Sequence, residues 1–310
     1  MSWTCRSEHC PHAWPADPGR SLSAPTLGPV SIDLHTHSSA SDGTETPAEL
    51  VRAASSAGLD VVAITDHDTT RGWAEAEAAL PAGLRLVRGA EISCAWGGIS
   101  LHLLAYLFDP GHEQLAAEMA MALDDRVPRA KAIVAKLAEA GHPITWELVL
   151  AQLQEGATVG RPHIADTLVA LGVVRDRNEA FASLLSDDGP FFVSHYYVDA
   201  VRAVQLVREA GGVPVFAHPA AAMRGTIVGD DAIQAMAAAG LAGLEVDHRD
   251  NPPEQRSRLR GLAADLELLV TGASDYHGAG KDNRLGENTT DPEVFMALVA
   301  QATGAGLVVA

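Results

Sequence analysis

The chain contains 310 residues, of which 47% are hydrophobic and 20% are charged, and its formal net charge is −18. This length suits one α/β barrel domain of about 250 residues with some additional chain. No apolar run reaches the roughly 18 residues that span a bilayer, so we predict that the protein does not cross a membrane. The strongly acidic balance argues against binding of long duplex nucleic acid.

The N-terminal segment, residues 1–29, differs in composition from the rest of the chain. It contains five prolines and lacks the apolar stretch of a secretory signal, so we predict a flexible leader. Its cysteine and histidine spacing matches no common structural zinc pattern. The three cysteines of the chain, Cys5, Cys10 and Cys94, do not suggest a disulfide framework. We therefore expect a protein of the reducing cytoplasm.

From residue 30 onward, short buried strands alternate with helices. The predicted strands cover residues 30–34, 60–65, 84–87, 100–108, 213–217, 244–246 and 266–271. The first helix begins at a capping box formed by Thr46 and Glu49, with Pro47 at its first position. Strands that alternate with helices predict a mostly parallel sheet. Because polar clusters follow so many of the strands, we expect a closed barrel with its site at the carboxyl ends of the strands.

Residues 111–198 interrupt this alternation with a series of helices. The predicted helices cover residues 113–125, 128–140, 146–154, 162–171 and 177–185. We interpret the segment as a helical insertion that caps the mouth of a barrel built from residues 30–110 and 199–310. Segments of this kind usually govern the choice of substrate.

Histidine and carboxylate side chains recur at the ends of the predicted strands. His35 and His37 alternate along one strand, so both imidazoles point to the same side. Further candidate ligands follow along the chain: Asp42, His67, Glu91, His102, His218, Asp275 and His277. Each of them alone could be an ordinary loop residue, but nine donors exceed what one tetrahedral zinc ion uses. They suffice for two or three ions such as Mn²⁺, Fe²⁺ or Zn²⁺.

Five short motifs resemble those of the PHP (polymerase and histidinol phosphatase) family. They are His35-Thr36-His37 with Asp42-Gly43, Thr65-Asp66-His67-Asp68, Gly89-Ala90-Glu91-Ile92-Ser93, Ala217-His218-Pro219 and Ser274-Asp275-Tyr276-His277. The motifs stand in the order of the family between residues 31 and 290. The resemblance implies a distorted seven-stranded (β/α)7 TIM-like barrel that carries a site for three metal ions.

The resemblance also implies how the ligands divide among the ions. The implied sets are His35, His37, Glu91 and Asp275 for one ion, Glu91, His102 and His218 for a second, and Asp42, His67 and His277 for a third. Asp66 and Asp68 flank His67, and we expect them to orient ligands rather than to bind metal.

The segment Gly160-Arg161-Pro162-His163-Ile164-Ala165 narrows the resemblance to one subgroup. It is similar to the subgroup that includes 3′,5′-nucleotide bisphosphate phosphatases and a 5′→3′ exoribonuclease acting on short RNA. By this resemblance Arg161, His163 and His248 are candidates for phosphate binding. Arg161 could instead be a surface residue at the start of a helix. His195 stands where the subgroup shows a proline-containing segment, and it is a further candidate for substrate contact.

The sequence therefore predicts a hydrolase that cleaves a phosphate ester of a nucleotide by attack of a metal-bound hydroxide. Glu91 and Asp275 would hold the catalytic ions, and His248 is a candidate proton donor. Alternatives within the family are a 5′→3′ exoribonuclease, a histidinol phosphatase and a catalytically silent module. A C–N amidohydrolase with a lysine-bridged site would need a lysine on a barrel strand. Lys131, Lys136 and Lys281, the lysines of this chain, lie outside the predicted strands.

Overall fold

A computed structural model of the protein describes residues 30–153, 159–186, 189–194, 196–222 and 225–310. Residues Ser31–Ala310 cluster as one unit. The predicted leader, residues 1–29, and His195 lie outside the described residues, so these two predictions stay open. Among the helices of the described ranges, none combines the length and the apolar character that crossing a membrane requires.

Seven strands form a nearly closed barrel, which confirms the predicted α/β barrel fold. In the order of the sheet they are β1 (Ile32–Asp33), β2 (Val61–Ile64), β3 (Arg85–Trp96), β4 (Ile99–Tyr106), β6 (Val213–Phe216), β7 (Gly243–Asp247) and β8 (Leu269–Gly272). The two ends of the sheet meet where Thr36 pairs with Tyr276, and the His37 N–H donates to the Tyr276 carbonyl at 2.8 Å. Two short strands, β5 (Val198–Asp199) and β9 (Val308–Val309), both pair with β3.

Strand β4 runs antiparallel to both of its neighbours, β3 and β6, whereas the other barrel neighbours are parallel. The amino end of β4 therefore lies at the rim where the parallel strands have their carboxyl ends. His102 pairs with Ser93 in this part of the strand. The reversed direction explains how a histidine inside an apolar run reaches the rim.

In the described ranges, six helices pack around the barrel, and four more lie between β4 and β5. The first group is α1 (Pro47–Ser56), α2 (Trp73–Ala78), α7 (Ala200–Glu209), α8 (Asp230–Ala238), α9 (Pro253–Asp265) and α10 (Pro292–Val299). The second group, which we call the cap helices, is α3 (Glu113–Glu139), α4 (Trp146–Leu150), α5 (Arg161–Ala170) and α6 (Arg177–Ser183). Helix α1 begins as predicted, because the Thr46 hydroxyl accepts from the Glu49 N–H and the Glu49 carboxylate accepts from the Thr46 N–H.

The sequence prediction of two helices over residues 113–140 was wrong, because α3 continues through Pro128. An interior proline removes one backbone hydrogen bond and costs about 3 kcal/mol. Burial on both sides of the proline offsets this cost: Ala122 precedes it, and Ile133 and Leu137 follow it, all of them buried. A buried leucine or isoleucine contributes about 1.5–3 kcal/mol. The two halves of α3 are therefore held in line by packing.

The apolar side chains form separate clusters for the barrel and for the cap helices. On β2, Val61 and Ala63 join one barrel cluster whereas Val62 and Ile64 join another, because successive side chains of a strand point to opposite faces. A third cluster runs from Ala130 to Val193 and joins α3, α4, α5 and α6. This arrangement supports the interpretation of an insertion, and its boundaries at residues 111 and 198 stay a prediction.

Candidate metal centre

The carboxylate of Glu91, on β3, lies at the middle of five histidines at the rim of the barrel. Its Oε1 atom is 2.9 Å from His102 Nδ1 and 3.1 Å from His218 Nε2. Its Oε2 atom is 3.3 Å from His35 Nε2, 3.1 Å from His37 Nε2 and 3.2 Å from His67 Nδ1. Glu91 is 1% exposed, so its carboxylate is buried among these histidines.

Two further carboxylates complete the arrangement. Asp275 Oδ1 is 3.4 Å from His35 Nε2 and 3.3 Å from His37 Nε2. Asp42 Oδ1 is 3.3 Å from His277 Nε2 and 3.6 Å from His37 Nδ1. Asp42 Oδ2 is 3.7 Å from His67 Nε2. The structure thus brings all nine predicted ligands together at one rim.

The spacing of these atoms fits the coordination of metal ions. Two ligands bound at about 2.1 Å to the same ion are about 3.0–3.4 Å apart, depending on the angle between them. The Nε2 atoms of His35 and His37 are 3.0 Å apart. Three groups have donor atoms that all lie within 4.8 Å of one another: His37 with Asp42, His67 and His277, His35 with His37 and Asp275, and His67 with Glu91 and His102.

Several buried nitrogens of the centre make no hydrogen bond of acceptable geometry. They are His67 Nδ1, His102 Nδ1 and His277 Nε2. Most buried polar atoms in proteins have a hydrogen-bond partner, so a group of such atoms requires an explanation. A cation among them would accept their lone pairs. The donor set and these nitrogens therefore fit a site that binds divalent metal.

Burial and mutual charge shift the pKa values of the centre in opposite directions. Burial lowers the pKa of His37, but contacts with Asp275 and Glu91 outweigh it and raise the pKa to about 9. Burial, followed by the charge of Lys281, lowers the pKa of His277 to about 4. Burial raises the pKa of Glu91, but the surrounding histidines outweigh it and hold that pKa well below its usual range. The ionised carboxylates that attract protons in the absence of metal also attract cations.

Glu245 contacts two of the histidines, and the sequence analysis did not identify it as a residue of the site. Its Oε1 atom lies 2.9 Å from His35 Nδ1, and its Oε2 atom accepts the His218 N–H at 2.8 Å. Glu245 is fully buried on β7, between Leu244 and Val246. A carboxylate within an apolar strand was the available signal. Metal-binding histidines commonly use their second nitrogen for such a contact.

The two aspartates beside His67 have different partners. Asp66 accepts from the Ser38 N–H at 2.8 Å and from the Ser41 hydroxyl at 2.6 Å, and the Ser41 hydroxyl lies 3.5 Å from His37 Nδ1. Asp66 therefore reaches a histidine of the centre through Ser41. The Asp68 carboxylate instead accepts from the Ser93 N–H and hydroxyl and from Arg126. Its partners connect the barrel to α3 rather than to a histidine.

Three residues of the centre have backbone conformations that side chains rarely adopt. Asp68, His218 and Asp275 have φ angles of 52°, 30° and 53°. A non-glycine residue in this region costs of order 1–3 kcal/mol, and such residues cluster at functional sites. Each of the three follows a barrel strand, where the strained turn directs the side chain over the rim.

A cavity of about 1020 Å³ opens above the centre, between the rim and the cap helices. Among the described residues, five aspartates and seven basic side chains line it, the latter being Arg126, Arg129, Arg161, Arg175, Arg177, Arg249 and Lys281. Several of them form ion pairs with carboxylates. Arg177, for example, donates two hydrogen bonds to the Asp166 carboxylate, at 2.5 and 2.6 Å. The cavity nevertheless has many positively charged side chains for a chain of formal charge −18, so it can attract an anionic ligand.

The three predicted phosphate-binding residues lie in different environments in the structure. Arg161 lines the cavity, donates to the Leu185 carbonyl at 3.1 Å and packs over the ring of Phe181. His163 is buried, and its Nδ1 atom accepts the Gly160 N–H, so it caps its own helix. His248 is also buried, with its Nε2 atom 3.6 Å from Asp275 Oδ2.

Lys281, which sequence analysis left outside the site, lies at its edge. Its Nζ atom is 2.9 Å from Asp275 Oδ2. As predicted, none of the three lysines lies on a barrel strand: Lys131 and Lys136 are in α3, and Lys281 follows a short 3₁₀ helix (Gly278–Gly280). No sequence signal marked Lys281, because it stands in a glycine-rich segment after the Asp275 motif.

Comparison with known proteins agrees with this geometry. The PHP domain matches residues 33–155. A 3′,5′-nucleoside bisphosphate phosphatase from Chromobacterium violaceum is 32% identical over 263 residues, which cover 84% of this chain and 92% of that protein. A 5′-3′ exoribonuclease from Haemophilus influenzae is 35% identical over 249 residues, which cover 79% of this chain and 89% of that protein.

A solved structure from Bifidobacterium adolescentis, assigned as a metal-dependent phosphoesterase, superposes with a TM-score of 0.83. It is 44% identical in sequence, and the match covers 88% of this chain and 97% of that one. The predicted family, fold and enzyme class are confirmed. The chain belongs to the PHP family, and it is a metal-dependent phosphoesterase, a hydrolase that acts on phosphate esters.

Proposed function

We propose that this phosphoesterase hydrolyses a phosphate ester of a nucleotide, with a 3′,5′-nucleotide bisphosphate as its substrate. The observation that carries the proposal is the position of nine metal-ligand side chains beneath a basic cavity of about 1020 Å³. Ligand pockets of about 300–1,000 Å³ accommodate molecules of nucleotide size. The resemblance of 84% of the chain to a bisphosphate phosphatase supports the same substrate class.

The ligands would hold two or three divalent ions, such as Mn²⁺, Fe²⁺ or Zn²⁺. His102 and His218 lie on the Oε1 side of Glu91, whereas His35 and His37 lie on its Oε2 side together with Asp275. Asp42, His67 and His277 belong to a group that also includes His37, and His67 Nδ1 is 3.2 Å from Glu91 Oε2. The division at Glu91 supports the first two ligand sets implied by the family resemblance, while His37 and His67 lie within reach of more than one set. When bound, such ions polarise phosphoryl oxygens and lower the pKa of water.

The side chains of the cap would bind and orient the substrate. Arg161 lines the cavity, and a guanidinium can bind phosphate through two parallel hydrogen bonds. Holding the phosphate in line with the attacking group can contribute several kcal/mol to the rate. The burial of His163 and His248 supports other roles for these two residues: capping of α5 for the first and contact with Asp275 for the second.

A second candidate is a 5′→3′ exoribonuclease activity on short oligonucleotides. Its support is the exoribonuclease from Haemophilus influenzae, which matches most of the chain. The large cavity has room for more than one nucleotide unit, and the same metal ligands would serve both reactions. A bisphosphatase releases inorganic phosphate, whereas an exoribonuclease releases mononucleotides.

A panel of substrates with added Mn²⁺ tests the proposal. The panel contains adenosine 3′,5′-bisphosphate, adenosine monophosphate, a 5′-phosphorylated dinucleotide and histidinol phosphate. We expect fastest hydrolysis of the bisphosphate with release of phosphate. Glu91→Gln should lose both turnover and metal, while Glu139→Gln, an exposed residue of α3, serves as the matched control. Preferential hydrolysis of histidinol phosphate would contradict a nucleotide substrate.

A further inference from the structure

Lys281 places a positive charge between the candidate metal centre and the cavity. Its Nζ atom is 2.9 Å from Asp275 Oδ2, and the other oxygen of Asp275 faces His35 and His37. The lysine side chain is 28% exposed and lines the cavity. An ammonium group has three N–H donors, and the contact with Asp275 uses one of them. The ammonium is therefore available to a ligand in the cavity.

The backbone holds Lys281 in this position independently of its contact with Asp275. The Ala279 N–H donates to the Thr44 hydroxyl at 2.8 Å. Gly280 lies close to the side chain of Arg177 from α6, since a Cβ atom built on it would be 2.5 Å from Arg177 Nη1. The segment that carries the lysine thus has neighbours in both the barrel and the cap helices. A side chain placed in this way needs little reorganisation to meet a ligand.

The backbone of Asp275 is held by contacts with residues other than Lys281. The side chain of Asn283 donates to the Asp275 carbonyl at 3.2 Å and to the Ser274 carbonyl at 2.6 Å. His277 Nδ1 also lies 2.8 Å from the Asp275 carbonyl oxygen. The turn that carries Asp275 is therefore fixed through its backbone. These contacts hold the backbone of Asp275 without the side chain of Lys281.

We propose that Lys281 is a substrate-binding residue whose ammonium contacts the phosphoryl group undergoing hydrolysis, an inference that rests on the proposed phosphoesterase site. When cations share the charge of Asp275, the attraction between that carboxylate and Lys281 weakens. An incoming phosphate dianion then becomes the better partner for the ammonium, because opposite charges attract strongly in a partly buried site. The contact would act on any phosphate ester, whatever its leaving group.

Three variants test this role: Lys281→Met, which keeps the length without the charge, Lys281→Arg, which keeps the charge, and Lys131→Met as the matched control. Lys131 lies on α3 with its ammonium over the ring of Trp146, and it is not one of the residues that line the cavity. Binding of inorganic phosphate to each Mn²⁺-loaded protein is measured by calorimetry. Metal per chain is measured by elemental analysis of the same samples.

We expect Lys281→Met to retain its metal and to bind phosphate about 10- to 100-fold more weakly, the usual effect of losing a charged hydrogen bond. Lys281→Arg should recover part of the affinity, and Lys131→Met should match the wild type. Unchanged phosphate affinity in Lys281→Met would overturn the proposal. Loss of metal from that variant would also overturn it, because the lysine would then support Asp275 instead.

The nucleotide assignment is tested separately by the substrate panel on the wild-type protein. If the wild type prefers a phosphate ester that is not a nucleotide while Lys281→Met binds phosphate weakly, the role of Lys281 stands and the nucleotide assignment falls. If the wild type cleaves the bisphosphate and phosphate affinity is independent of Lys281, the nucleotide assignment stands and the proposed role of Lys281 is wrong.

Discussion

Glu245 joins two histidines that come from different strands of the barrel. It contacts His35 through the ring nitrogen that faces away from Glu91, and it holds the backbone N–H of His218. A proton on His35 Nδ1 that is donated to Glu245 would leave the Nε2 lone pair for a metal ion beside Glu91 and Asp275. One buried carboxylate can therefore orient donors on both sides of Glu91.

Glu245→Gln should weaken metal binding by about 10- to 100-fold, the usual effect of removing a partner of a metal-binding histidine. The amide cannot accept from both His35 and His218 as the carboxylate does. Titration of metal-free protein with Mn²⁺ measures the change, and Glu139→Gln provides the control for a neutralised surface carboxylate. Wild-type affinity in Glu245→Gln would exclude this role.

At the scale of residues, the sequence identified the metal ligands better than the residues that contact those ligands. Each of the nine predicted ligands except His102 belongs to a short motif, and the motifs follow barrel strands, except for the Glu91 motif, which lies within β3. Glu245 and Lys281 lack such a context. A carboxylate inside a strand and a lysine in a loop gain their roles from the side chains that the fold brings next to them. Contacts over 210 and 6 residues connect them to His35 and Asp275.

Helix α3 joins the barrel to the cap through contacts on both sides of Pro128. Arg126 donates to the Asp68 carboxylate at 2.6 Å, and Arg129 donates to the Val193 carbonyl at 2.8 Å. A kink or a break at the proline would move these two arginines relative to each other. The continuity of α3 therefore affects the position of the cavity wall.

Pro128→Ala should increase the free energy of unfolding by about 1–3 kcal/mol, because alanine restores an interior N–H and removes the clash of the ring with the preceding turn. Pro128 is exposed, so the change removes little packing. Urea unfolding of the two proteins measures the difference. A lower stability of the variant would indicate that the proline fixes a bend on which the cap depends.

At the scale of elements, sequence predicted the seven barrel strands but not all of their lengths and directions, since β3 continues to Trp96, beyond the predicted residues 84–87. The pattern of apolar residues is the same for parallel and antiparallel strands, so this pattern did not show that β4 runs in the opposite direction. Its cause is the tight connection from Trp96 to Ile99 through Gly97 and Gly98, which have φ angles of 56° and 85°. Two glycines in the left-handed region form a hairpin turn, and this was a readable signal.

At the scale of the whole molecule, the nearly closed barrel concentrates charge at one rim. Glu91, Asp275 and Asp42 are buried among histidines there, and this arrangement is stabilised when cations bind to the folded state alone. The barrel and the existence of a cap could be predicted from the alternation of elements. The placement of the cap could not, because it depends on contacts such as Arg126 with Asp68 that no periodicity reveals.

Mn²⁺ should therefore raise the stability of the metal-free protein. At an ion concentration 100 times the dissociation constant, each independent site contributes about 2.7 kcal/mol to the free energy of unfolding. Thermal or urea unfolding in chelator and in excess Mn²⁺ measures the effect. Glu91→Gln should respond much less than the wild type, whereas an equal response of both proteins would indicate binding elsewhere on the acidic surface.

Diffraction from crystals grown with Mn²⁺, with anomalous maps and metal analysis of the dissolved crystals, tests the central claim most directly. We predict two or three anomalous peaks around Glu91, each about 2.0–2.3 Å from histidine nitrogens or carboxylate oxygens of the nine ligands. Metal-loaded crystals with no peak among these side chains would contradict the account.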